Sequence, residues 1–109
     1  MRRLLLLALA VAACNDVPVS RRIGARCDDS DECDQRCLLP SASYPGGMCT
    51  VLCDDDRDCP ADTRCVDDEG GVCLYGCVGD PDCAFLGAGW TCQTLAGQPG
   101  GQVTACRGA

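Results

Sequence analysis

The sequence predicts a small disulfide-rich fold: three tandem four-cysteine modules, each a short helical turn plus a β-hairpin, with little regular secondary structure. Three observations carry that expectation. Thirteen of the 109 residues are Cys, and twelve of them fall after residue 26 in three sets of four. Each set opens with Cys-x5-Cys, at Cys27–Cys33, Cys53–Cys59 and Cys77–Cys83. From Cys14 onward only 15 of 96 residues are Ile, Leu, Val or Phe, too few for a conventional core. The overall hydrophobic share of 47% misleads, because cysteines, alanines and an apolar N-terminus inflate it.

Sulfur is the expected substitute for apolar burial, as in other small domains that bury too little surface. Each bridge contributes about 2–4 kcal/mol, largely by restricting the unfolded chain. The first set is Cys27, Cys33, Cys37 and Cys49; the second is Cys53, Cys59, Cys65 and Cys73; the third is Cys77, Cys83, Cys92 and Cys106. The same three-residue spacer follows the first two sets, Cys49-x3-Cys53 and Cys73-x3-Cys77, and repeat starts are 26 and 24 residues apart. This divides the chain into modules at 27–52, 53–76 and 77–109. Four cysteines allow three connectivities; the expectation is first-to-third and second-to-fourth, which ties each turn onto its hairpin.

Local signals place the elements. Ser30, Asp56 and Asp80 are N-cap residue types, and Pro81 suits the first helical position. Glu32, Asp58 and Asp82 follow in the first turn, where negative charge suits the helix dipole. Arg64-Cys65-Val66 and Val72-Cys73-Leu74 flank the turn Asp67-Asp68-Glu69-Gly70-Gly71, a hairpin pattern. Gly46-Gly47 before Cys49 and Gly100-Gly101 before Cys106 are the corresponding turn glycines.

The N-terminus reads as a targeting segment, residues 1–13. Arg2 and Arg3 precede the apolar run Leu4 to Ala13, which is too short to span a bilayer. It ends in Val11-Ala12-Ala13-Cys14, which resembles the lipobox of bacterial lipoprotein signal peptides. The resemblance implies cleavage before Cys14, diacylglycerol on its sulfur and acylation of the new amino group, palmitate being such a chain. Multiple acyl chains on one residue anchor stably. Parity agrees, since removing Cys14 leaves an even twelve. Residues 14–26 then read as a lipid-anchored tether. The whole chain is similar to the cysteine-rich repeat lipoproteins of GC-rich bacteria through the phrase Cys-x-x-Asp-x-Asp-Cys, which the second and third sets match and the first does not. That resemblance implies a cell-envelope location, with inner or outer membrane left open, and no activity.

Charge and composition exclude several functions. From Cys14 onward 16 Asp and Glu face seven Arg, a net of −9, with no Lys and no His. So acidic a chain repels nucleic acid. Without His or Lys the commonest general bases are missing, so catalysis is not expected. No Cys-x-x-Cys marks a zinc or redox site. The nearest approach to a calcium set is Asp54, Asp56 and Asp58, but no Gly follows and no bidentate Glu closes the loop. No cofactor is expected. What remains is a binding or structural role with a protein partner in the envelope. Tyr44 is the expected exposed contact, and Trp90 is expected to pack on a bridge. The alternative is a protease-inhibitor-like scaffold that presents Leu38-Leu39-Pro40-Ser41 as a rigid loop.

Overall fold

The computed structural model describes residues 19–109, so the leader read at 1–13 and Cys14 lie outside the described residues. Three antiparallel hairpins follow one another, each preceded by a short 3-10 segment. Turn Ser30–Glu32 leads to β1 (Arg36–Leu38) and β2 (Met48–Thr50). Turn Asp56–Asp58 leads to β3 (Thr63–Val66) and β4 (Val72–Tyr75). Turn Asp80–Leu86 leads to β5 (Thr91–Ala96) and β6 (Gln102–Arg107). The fold is therefore small and disulfide-rich, with little helix and three two-stranded sheets.

Six disulfides join turns to hairpins. They are Cys27–Cys37, Cys33–Cys49, Cys53–Cys65, Cys59–Cys73, Cys77–Cys92 and Cys83–Cys106. In every hairpin the third and fourth cysteines of the set sit directly opposite: Cys37 against Cys49, Cys65 against Cys73, Cys92 against Cys106. Opposed side chains point to one face of a two-stranded sheet. The two bridges therefore land side by side on that face and hold the turn over it.

The caps differ from the sequence expectation by one position. The residues before the turns are Asp29, Asp55 and Gly79; Asp29 accepts from Asp31 N–H (2.9 Å) and Asp55 from Arg57 N–H (2.8 Å). Ser30, Asp56 and Asp80 begin the turns instead, so Pro81 is the second helical residue. The side chains of Ser30, Asp56 and Asp80 accept from the strand amides of Cys37, Cys65 and Cys92 instead of capping. Segment 19–26, part of the expected tether, also packs: Ile23 is buried, and Tyr75 donates its hydroxyl to the Ile23 carbonyl (3.3 Å).

A core exists despite the apolar poverty of the chain. Leu38, Met48, Val51, Val66, Val72, Leu74, Leu86, Leu95, Tyr44 and Trp90 are buried together with six cysteines in one cluster running through all three hairpins. Each hairpin contributes only a few residues, and the three pool them with cysteines, so this is not the conventional core that the composition ruled out. Backbone bonds repeat between neighbours. Cys49 N–H donates to Ala25 O (2.7 Å) and Cys73 N–H to Val51 O (3.2 Å), both two residues before the first cysteine of the set. Cys53 N–H donates to Gly71 O (3.0 Å) and Cys77 N–H to Thr104 O (3.3 Å). Thus the spacer after each of the first two sets runs alongside the next hairpin.

Gly71 shows why glycine stands there. Its φ is +105°, and an added Cβ would lie 2.3 Å from the Cys53 carbonyl oxygen. Gly47 makes the equivalent approach to Cys27, whereas Thr104 in the third hairpin donates its hydroxyl to Cys77 O (2.7 Å).

Two outcomes follow from this packing. Gly71→Ala should cost more than about 2 kcal/mol in urea unfolding, by strain plus collision, while Gly70→Ala, with open space around it, should cost only about 1 kcal/mol. Burial pushes the Tyr75 phenol up to about 12, and burial together with its bond to Asp68 raises that of Tyr44 further. Neither of the two tyrosines should show tyrosinate absorbance at pH 10, where both should be half-ionised after reduction and unfolding. A raised phenol stabilises fully below pH 10, and for Tyr75 that contribution is lost as pH climbs through 12.

Candidate functional site

The acidic residues that open each set have repeating structural partners. Ser30 Oγ accepts from Cys37 N–H (3.3 Å), Asp56 Oδ1 from Cys65 N–H (2.8 Å) and Asp80 Oδ1 from Cys92 N–H (2.9 Å). These amides point out of the hairpin because each opposed cysteine pair is a non-hydrogen-bonded one. Glu32, Asp58 and Asp82 reach back to the residue after the first cysteine, accepting from the N–H of Asp28 (2.6 Å), Asp54 (2.8 Å) and Val78 (2.8 Å). One oxygen thus ties turn to strand, and a second closes the turn.

The three calcium candidates are divided among these tasks. Asp56 also pairs with Arg64 (3.0 Å), Asp58 binds a backbone amide, and the Asp54 carboxylate is exposed. Among the described residues the trios of ligand atoms lying within 4.8 Å of one another are sulfurs only: Cys27, Cys33 and Cys37; Cys53, Cys59 and Cys65; Cys77, Cys83 and Cys106. All nine are in disulfides, where sulfur is no thiolate ligand.

The long loop of the first hairpin differs from its expectation. Tyr44 is buried, 3% exposed, and so is no surface contact. Its ring packs against Trp90 (centroids 6.3 Å apart), and its hydroxyl donates to Asp68, which also meets Arg107 (3.4 Å). Trp90 is buried and donates Nε1–H to Pro45 O (3.1 Å); Gly108 N–H donates to Ser43 O (2.7 Å). One loop therefore binds both other hairpins. The sequence signal was only that Tyr44 is one of four aromatics in a chain short of apolar bulk, which favours burial. Of the stretch Leu38–Ser41, Leu38 is fully buried, while Leu39 is 60% exposed and Pro40 and Ser41 are exposed.

Two surface grooves accompany the turns. One of about 420 Å³ lies between Asp55, Asp56, Arg57, Arg64 and the tip of the third hairpin. Another of about 330 Å³ runs beside β1, between Ser30, Arg36, Leu39, Pro40 and Glu69. Arg36 crosses to the second hairpin, pairing with the Glu69 carboxylate and donating to its carbonyl (2.9 Å).

The bond from Cys65 N–H, followed by Arg64, holds the Asp56 carboxyl below the usual carboxylate range. A depressed carboxyl stabilises above its unfolded pKa and loses that contribution as pH falls through the folded one. Stability should therefore drop below about pH 4. Asp56→Asn keeps an oxygen for Cys65 but removes the charge, so its urea midpoint should vary less with pH in that window than that of the parent protein. An unchanged slope would show that Asp56 is not the group involved.

Neither models of protein families, nor curated proteins, nor solved structures show a match to this chain.

Proposed function

We propose that this chain is an exported bacterial lipoprotein of the cell envelope, anchored through acylated Cys14, whose three tandem four-cysteine modules form a non-catalytic binding or structural head. The observation that carries this reading is the pairing of cysteines. All twelve beyond residue 26 are joined within their own set of four, with no bridge between sets. Cys14 is left over, directly after Val11-Ala12-Ala13, and acylation is the chemistry that such a leader assigns to it.

Six disulfides agree with a protein outside the reducing cytosol. No helix among the described residues is long and apolar enough to cross a membrane. Attachment through a lipid is then the route by which a head of this kind stays at a membrane surface. The modular reading is supported by the repeated turn-to-strand bonds and by the repeated spacer contacts, although the three hairpins share one core.

Intact mass of the membrane-extracted protein tests the proposal. Without reduction it should begin at Cys14, carry diacylglycerol and acyl mass, and take up no alkylating reagent. After reduction it should gain twelve alkyl groups. Thirteen alkylatable sulfurs and no lipid mass would overturn the anchor.

A further inference from the structure

The third hairpin fills one edge of the second. Gln98 N–H donates to Cys65 O (3.1 Å) and Asp67 N–H to Ala96 O (2.9 Å), with Val66 and Gly97 bridged antiparallel. The extended segment 96–98 of the third hairpin thus lies along the outer edge of β3. That edge is outer because Cys65 directs its backbone away from β4, as its bond to Asp56 shows.

The first hairpin has the same edge without that occupant. Cys37 is the counterpart of Cys65, and its N–H points outward to Ser30. By strand alternation the Cys37 carbonyl and the Leu39 N–H face the same way. Among the described residues neither has a hydrogen-bond partner beyond the hairpin. The groove of about 330 Å³ runs along this edge. Its lining residues Ser30 and Arg36 are the counterparts of Asp56 and Arg64, which line the groove where the third hairpin meets β3.

We propose that the outer edge of β1, from Cys37 to Leu39, is a docking edge for an extended, uncharged peptide segment of a partner protein, added as an antiparallel strand. The mode is strand addition, in which main-chain bonds supply affinity and neighbouring side chains supply selection. The molecule itself shows what fits: Ala96-Gly97-Gln98 is uncharged and small at its centre. Charge selects the same class. The charged lining residues of the groove, Arg36 and Glu69, neutralise each other, so no free carboxylate there holds a basic segment. The excess of carboxylates, a net of −9 from Cys14 onward, repels an acidic one. Leu39 and Pro40, both exposed, offer apolar contact to the incoming strand. This inference deepens the binding role proposed above and rests on it, while its readout is independent of the lipid on Cys14.

The probe is a synthetic peptide with the sequence of residues 94–100, Thr-Leu-Ala-Gly-Gln-Pro-Gly, titrated into nitrogen-labelled, oxidised full-length protein in detergent. Saturating shifts should be confined to the amides of Cys37–Ser41, with slowed hydrogen exchange at Leu39. Leu39→Pro deletes the donor and should weaken the response by about tenfold, the worth of one such bond. N-methylation of the peptide at its Gln should do the same without altering the protein, so a folding defect in the variant cannot decide the result. No shift at millimolar peptide, shifts centred on the third hairpin, an undiminished response to the methylated peptide, or dimerisation through this edge would each overturn the proposal. Loss of docking with intact lipid mass would leave the anchor standing.

Discussion

Everything in this fold depends on where the third and fourth cysteines of each set stand. They face each other across a hairpin at a non-hydrogen-bonded position, close enough to bond to one another, yet each bonds to the preceding turn instead. That choice has two consequences. Both sulfurs leave from one face, so the turn is clamped across it at two points. Both backbone amides leave from the edges, so each needs an acceptor from outside the hairpin. Ser30, Asp56 and Asp80 satisfy one side, and the carbonyls of Ala25 and Val51, each two residues before the first cysteine of a set, satisfy the other in the first two hairpins. The acidic clusters and the constant spacer both answer the same geometric demand.

Two strands of three to six residues are marginal alone, and no hairpin here buries enough to stand by itself. The loop of the first hairpin resolves this by reaching the other two: Tyr44 to Asp68 and Trp90, Pro45 to Trp90, Ser43 to Gly108. Arg36 and Glu69 add a second link between the first two hairpins. Covalent loops hold each unit, and pooled apolar burial joins the units. Disulfides lower the entropy of the unfolded chain, which lets a small core of shared side chains suffice.

Much of this was legible in the sequence, and what was not has physical reasons. The cysteine spacing carried the turn–hairpin order, but it does not choose among the three pairings that four cysteines allow; the bridges run first-to-third and second-to-fourth in each set. The capping positions were off by one because Ser30, Asp56 and Asp80 accept from distant strand amides, and composition says nothing of that. Tyr44 was misplaced because its neighbours Ser43, Pro45 and Gly46 look like a solvent loop. Only the distant partners Trp90, Asp68 and Gly108 pull it inward. Long-range contacts of this kind have no local signal. The open edge of β1 was equally hidden, since it is recognised only by comparison with the filled edge of β3.

The distribution of charge bears on how such a head would sit at a membrane. The described chain turns back near its start, where Ser20 N–H bonds to Ile23 O. Arg21, Arg22 and Arg26 lie in this first stretch, whereas all but one of the carboxylates follow from Asp28 onward. Arg21 and Arg22 are exposed and Ile23 is buried, so the segment nearest the anchor is cationic outside and fixed to the core within. An anionic headgroup layer attracts that stretch and repels the rest. With the chain anchored at Cys14 as proposed, that distribution would turn the acidic turns away from the lipid.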